Sequence, residues 1–169
     1  MTEIRTATLR HPHGPLTVAA TRDGIVRIAF ASEDPDRVGI ELSTFGHVQE
    51  DPAALAEELA WLEGALRGHP KGPAPTADLR LAHTPFAREV LDAIAAVPPG
   101  STLSYAGLAD AAGRPRAVRA AAHVCATNPV PLVVGCHRIV RSDGTTGDYR
   151  GGAALKARLI AAEAATAPA

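Results

Sequence analysis

The sequence predicts an α+β chain whose strands come first and whose helices follow. Three observations lead there. Alternating apolar runs occupy residues 4–30. Helix-period apolar stripes begin after residue 50 and recur to the end. Pro and Gly concentrate in "KGPAPTADLRLAH", which marks the boundary between a unit over 1–80 and a second over 81–169. At 169 residues the chain can bury one ample core or two small ones.

The elements read as follows. "GPLTVAATRDGIVRIAF" places apolar runs on both sides of an Arg-Asp-Gly turn, which predicts paired strands. "PDRVGIELSTFGHV" fits neither period cleanly. In "DPAALAEELAWLEGALRGHP", Leu55, Leu59, Leu62 and Leu66 share one helical face, opened by Asp51 or Pro52 and closed by Gly68. A short strand is expected in the segment after the Pro/Gly break. Thr84 and Pro85 are an N-cap and first-turn pair for a helix with a Phe86, Val90, Ile94, Val97 stripe, stopped by "PPG". Ser104 caps a short helix ending at Gly113, and Pro115 opens another through "PRAVRAAAHVCAT". Two short helices with a Gly turn between them read as a helix-turn-helix. "VPLVV" and "HRIV" read as short strands, "RSDGTTGDYRGG" as a loop. The segment from about 153 to 165 reads as a final helix packed through Leu155, Leu159 and Ile160.

Bulk properties exclude several classes. No apolar run reaches membrane-span length, and the N-terminus has no signal-like apolar core, so a cytoplasmic protein is expected, with no membrane partner. Cys125 and Cys136 are too few for a disulfide framework and are expected to be reduced thiols. Nine basic residues face fourteen acidic ones over 1–100, whereas eight face four over 101–169. A polyanion would therefore dock on the back half.

The chemistry centres on "LVVGCHRIVRSDGTTGDYRGG". A cysteine beside basic residues and a glycine-rich loop is a candidate nucleophile, because the thiolate is the reactive form and nearby cations favour it. His137 follows Cys136 directly. In a strand the two side chains point to opposite faces, so a proton would have to pass between them through a water. Glu163 on the last helix is a candidate to orient the imidazole. Cys125 reads as a small helix residue facing the groove or core.

"NPVPLVVGCHRIVRSDGTTGDYRGGAALKARLIAAE" resembles the active-site segment of the O6-alkylguanine-DNA alkyltransferases (methylated-DNA–protein-cysteine methyltransferases). That family reads Pro-Cys-His-Arg followed by two β-branched residues, with Asn-Pro eight residues before the cysteine, a spacing kept by Asn128 and Cys136. "TPFAREVLDAIAAVPPG" and "GSTLSYAGLADAAGRPRAVRAAAHVCATNP" resemble the helices before it, and "HPHGPLTVAATRDGIVRIAF" is a weaker match to the N-terminal sheet. The likeness is greatest to the stand-alone bacterial enzymes and to the methyltransferase half of bacterial adaptive-response proteins. It implies a small N-terminal support domain with an antiparallel sheet and helix, then a mostly helical domain that binds DNA. It implies single-turnover repair of O6-alkylguanine, and of O4-alkylthymine, in double-stranded DNA entered from the minor groove by a monomer without a cofactor.

The resemblance implies a role for each matching residue. Cys136 is the alkyl acceptor, and His137 with Glu163 is the relay that makes the thiolate. Tyr105 is the phenol near guanine N3. Arg119 is the finger entering the base stack, with Arg116, Ala120 and Ala121 beside it on the DNA. Asn128 is the hinge. Tyr149, Arg150 and Gly151 form the loop closing over the base. Gly135 stands where the family has proline, and a roomier pocket that admits larger alkyl groups is expected from the missing ring. Some members bind zinc through N-terminal cysteines; this chain has none before Cys125, so no metal is expected. Two competing readings are a DNA-binding module without transfer, which the acceptor cysteine disfavours, and a thiol hydrolase using Cys136, His137 and Asp143. The hydrolase would leave the helix-turn-helix unexplained.

Overall fold

The computed structural model describes residues 1–168 and has a mixed α+β architecture. Strands β1 (Glu3–Leu9), β2 (Leu16–Thr21) and β3 (Gly24–Ala29) form an antiparallel meander. The segment that fits neither period cleanly resolves into helix α1 (Pro35–Phe45) and strand β4 (His47–Glu50). Asp34 caps α1 by accepting the Asp36 N–H at 3.0 Å. α1 carries the chain back across the sheet, so β4 runs parallel to β1 and the strand order is β3-β2-β1-β4. The sheet is therefore mixed, not purely antiparallel as the resemblance implied.

Helix α2 (Ala56–Leu66) follows a 3₁₀ turn at Ala53–Leu55, whose Ala54 N–H is held by Asp51. Helix α3 (Pro85–Ala95) starts at Thr84, whose hydroxyl accepts the Ala87 N–H at 3.1 Å. The strand expected between these helices is only an isolated bridge, Ala77 to Ile25, followed by a 3₁₀ turn at Leu79–Leu81. Asp78 supplies the reason: its carboxylate caps that turn and binds the Arg80 side chain, winding the backbone out of the extended form.

Strand β5 (Leu103–Ser104) leads into helix α4 (Tyr105–Ala111), with Ser104 capping through the Gly107 N–H at 3.0 Å. Helix α5 (Val118–Ala126) begins three residues later than Pro115, because 114–117 close a turn through Ala117 N–H to Arg114 C=O. Gly113, at φ 72°, ends α4 in the left-handed region and lets the chain reverse toward α5. "VPLVV" is not a strand. Leu132 sits at φ 74°, which breaks any extended run, and only Pro131 and Val134 form a bridge. Of "HRIV" only β6 (Ile139–Val140) is extended, pairing in parallel with β5; Cys136–Arg138 form a 3₁₀ turn. Helix α6 (Ala153–Thr166) ends the described chain. No helix among the described residues is long and apolar enough to cross a membrane.

One contiguous buried cluster joins the front and back halves, from Leu16, Val18 and Ile25 to Leu62, Val90, Leu108, Ile139 and Leu155, and a second, smaller one packs Ile4, Ala19 and Val26 against Val38 and Leu42 of α1. The two halves are also joined by a main-chain bond: the Ile28 N–H of β3 donates to Pro129 C=O at 2.7 Å. The loop that carries Cys136 is thus seated directly on the sheet.

Candidate active site

Three elements bring the site together: the end of α5, the turn at Cys136–Arg138, and α6. Asn128 follows α5 and is buried. Its Nδ2 donates to Val134 C=O at 2.9 Å and its Oδ1 accepts the Val130 N–H at 3.0 Å. Both halves of one amide therefore clamp residues 130–134, and this clamp holds the left-handed Leu132 in place.

Cys136 lies at the end of that clamped segment, in the wall of a cavity of about 470 Å³ shared with Tyr105, Asn128, Pro131, Tyr149 and Arg150. Cys136 is buried within it, and its thiol titrates below the usual thiol range. The Cys125 thiol is the main cause; Asn128, Lys156 and Arg150 add to it, against the opposing effect of burial.

His137 and Glu163 stand behind the cavity wall. His137 Nε2 lies 2.8 Å from Glu163 Oε1, and both groups are buried. Glu163 also receives Arg138 Nε at 3.0 Å and Nη2 at 2.9 Å. Burial works against the charge on Glu163, but the hydrogen bonds from His137 and Arg138 prevail and hold its carboxyl at about 2. An ionised carboxylate only accepts, so Nε2 carries a proton toward Glu163. Nδ1 is buried and has no protein partner among the described residues. The 3₁₀ turn replaces the expected strand at this point, yet adjacent side chains still diverge by about a third of a turn, so Cys136 and His137 occupy different sides of the wall.

Tyr105 opens α4 and lines the cavity; burial pushes its phenol up to about 12, so it is a donor, not an anion. Lys156, on α6, has its Nζ 3.5 Å from the Tyr105 hydroxyl and is wholly buried. Tyr149 packs edge-on against Phe30 of the sheet. Arg150 donates to Glu33 at 3.1 Å and to Ala126 C=O at 2.7 Å, tying the loop to the sheet side and to the end of α5. Arg116, Arg119 and Ala120 are exposed, and Arg119 has no hydrogen bond or ion pair among the described residues.

A family model described as the DNA-binding domain of 6-O-methylguanine DNA methyltransferase matches residues 85–165. The mouse methylated-DNA–protein-cysteine methyltransferase is 35% identical over 95% of this chain and 82% of its own length. The chain belongs to the methylated-DNA–protein-cysteine methyltransferase family. Among solved members of the family, the crystal structure of Mycobacterium tuberculosis OGT in complex with DNA superposes with a TM-score of 0.79 at 30% identity, covering 99% of this chain and 96% of that one. The bifunctional transcriptional activator/DNA repair enzyme Ada of Escherichia coli is 34% identical over 89% of this chain but only 43% of its own length. This chain spans a little under half the length of several curated relatives it matches.

Against the expectations that the methyltransferase resemblance raised, three residues are placed differently. Ala121 is fully buried, on the core side of α5, and cannot touch DNA. Gly151 does not line the cavity; a Cβ there would come within 3 Å of Phe30 and Leu155, so the glycine serves close packing of loop, sheet and α6. Gly135 does not line it either. A Cβ at Gly135 would meet the Arg138 guanidinium at 2.6 Å. The space freed by the missing proline ring is taken by that arginine, which also donates to Val97 C=O at 2.9 Å. The expected roomier pocket therefore has no basis in the wall geometry.

Sequence reasoning missed Arg138 as a partner of Glu163, Lys156 as a buried cation, and Cys125 as a cavity residue. Lys156 carried a signal: it stands seven residues before Glu163 and beside Leu155, on the face of α6 turned to the core.

Proposed function

We propose that this protein repairs DNA by moving an alkyl group from O6 of guanine, or O4 of thymine, onto Cys136 in a single irreversible step. The observation that carries the reading is the acceptor thiol in a cavity of about 470 Å³ with the oriented His137–Glu163 pair behind it. In this reading His137 Nδ1 takes the Cys136 proton through a water. The thiolate sulfur then attacks the alkyl carbon, forming the C–S bond as the C–O6 bond breaks. The electron pair stays on the purine, which regains a proton near N3, where Tyr105 is the donor. A thioether has no leaving group that water can use, so the protein is consumed.

Guanine O6 is inside the base pair, so the nucleotide must leave the stack, at a cost of a few kcal/mol. The reading assigns this to α4 and α5 acting as a helix-turn-helix at the minor groove. The unpartnered Arg119 fills the gap, and Arg116 and Ala120 lie along the backbone. Asn128 acts as the hinge, while Tyr149 and Arg150 cover the flipped base. Residues 1–80 act as the support and 81–169 as the DNA-binding and acceptor unit of a cytoplasmic monomer. The alanine-rich helix offers few groups to base edges, so weak sequence preference follows. Intact-mass measurement after incubation with a duplex containing O6-methylguanine tests the reading. The expected result is a gain of one methyl group per protein, absent in Cys136→Ser; a protein that stays unmodified or turns over repeatedly overturns it.

A further inference from the structure

The cavity holds a second sulfur that the repair chemistry does not use. Cys125 is the penultimate residue of α5 and lines the same cavity as Cys136. Its Sγ lies 3.8 Å from the Cys136 carbonyl oxygen, within reach to donate to it, and both cysteines line the same cavity. We propose that Cys125 is a positioning residue for the acceptor: its S–H turns from the Cys136 carbonyl to the Cys136 sulfur when that sulfur becomes a thiolate, and holds the anion aimed into the cavity. This rests on the reading of Cys136 as the alkyl acceptor.

The surroundings favour this role. Tyr105 from α4 and Tyr149 from the loop are kept neutral by burial. Lys156 from α6 and Arg150 from the loop attract the thiolate as charges, and Arg141 and Asp148 complete the rim. The Asn128 amide, held on Val134 C=O, also favours the anion. His137 removes the proton from the other side of the wall, so the donors that steady the anion lie on the cavity side. Cys125 is a soft donor placed at that point. Its own thiol is pushed far up by the hydrogen bond to Cys136 and by burial, so it stays protonated while its neighbour ionises.

The test is the pH profile of Cys136 alkylation by iodoacetamide, read by peptide mass, in the full chain without DNA. Hydrogen bonds to charged groups lead us to expect that Cys125→Ala moves the midpoint up by about one pH unit and slows labelling at pH 7 roughly threefold, the roughly tenfold loss of thiolate being partly offset by its higher reactivity. At high pH the same variant should label about threefold faster, because a more basic thiolate is more nucleophilic. Cys125→Ser keeps a donor and should restore the wild-type midpoint. An unchanged midpoint in Cys125→Ala, or an equal shift in both variants, overturns the proposal. Methyl transfer from an O6-methylguanine duplex to the wild type is measured separately. Its failure alongside an intact Cys125 effect would count against the DNA reading alone.

Discussion

At Glu163 a single carboxylate serves two donors, His137 and Arg138, and so couples α6 to the turn that carries Cys136. Replacing it by Gln removes the anion that holds the imidazole and leaves the partly buried Arg138 without a counter-charge. Glu163→Gln should lower single-turnover methyl transfer about 100-fold, the scale of a lost general-base arrangement. The pH dependence follows from the same group. Its folded carboxyl, held at about 2, lies below its ordinary 4.5. It therefore contributes stability above 4.5, and that contribution is lost as the pH falls from 4.5 toward 2. Thermal unfolding followed from pH 6 to 2.5 should show a smaller decline in Glu163→Gln than in the wild type. Gly135 belongs to this scale too. Gly135→Ala should force the Arg138 guanidinium aside and cost about 1 kcal/mol in urea unfolding. It should leave the relative rates on O6-methyl- and O6-benzylguanine unchanged, since residue 135 is outside the cavity wall.

Helix α5 is divided lengthwise between two tasks. Ala121 and Cys125 face inward, Cys125 onto the cavity, while Arg119, Ala120 and His123 face outward. Small side chains suit both faces, because the helix must sit close to the core on one side and, in the proposed function, close to a DNA backbone on the other. Arg119 is exposed and makes no hydrogen bond or ion pair among the described residues, so Arg119→Ala should leave the unfolding midpoint nearly unchanged. If it meets DNA, the variant should slow repair of a paired O6-methylguanine more than of one in single-stranded DNA. It should also reduce the salt slope of duplex binding by about one, as expected for one lost phosphate contact. A slope equal to the wild type's would place Arg119 off the DNA.

Across the whole molecule the decisive link runs from sheet to loop. Arg27 of β3 binds Glu33 and Glu41, and Glu33 in turn binds Arg150 of the cavity loop, whose carbonyl accepts the Ser32 hydroxyl at 2.7 Å. Arg27 is buried, and Glu33 is nearly so. Removing Glu33 leaves the buried Arg27 with the half-exposed Glu41 as its one carboxylate partner, so Glu33→Gln should cost roughly 2 kcal/mol in urea unfolding. Because Glu33 also anchors Arg150, the variant should slow methyl transfer even at temperatures where the fold is intact. Equal activity of folded variant and wild type would show that the sheet supports stability alone. Through this link the N-terminal sheet is tied to the loop beside Cys136.

Local signals determined much of this protein. Thr84, Pro85 and Ser104 set helix starts because capping depends on residues three apart, and the leucine stripe of α2 announced its buried face. The Asn128 to Cys136 spacing and the Cys136–His137 pair were legible as a site for the same reason: they lie in one short segment. What sequence left open depends on partners distant in the chain. β4 is a strand only because β1 offers it an edge. "VPLVV" reads as a strand but is bent at Leu132 by an amide clamp from Asn128. Arg138 reaches Glu163, and Gly135 matters through Arg138, because α6 returns from twenty-five residues away. Cys125 and Lys156 face the cavity for the same reason. Periodicity tells which face of a helix is turned inward, but only the packing of α4, α5, α6 and the loop decides that the inside, at that point, is a cavity with a sulfur in its wall.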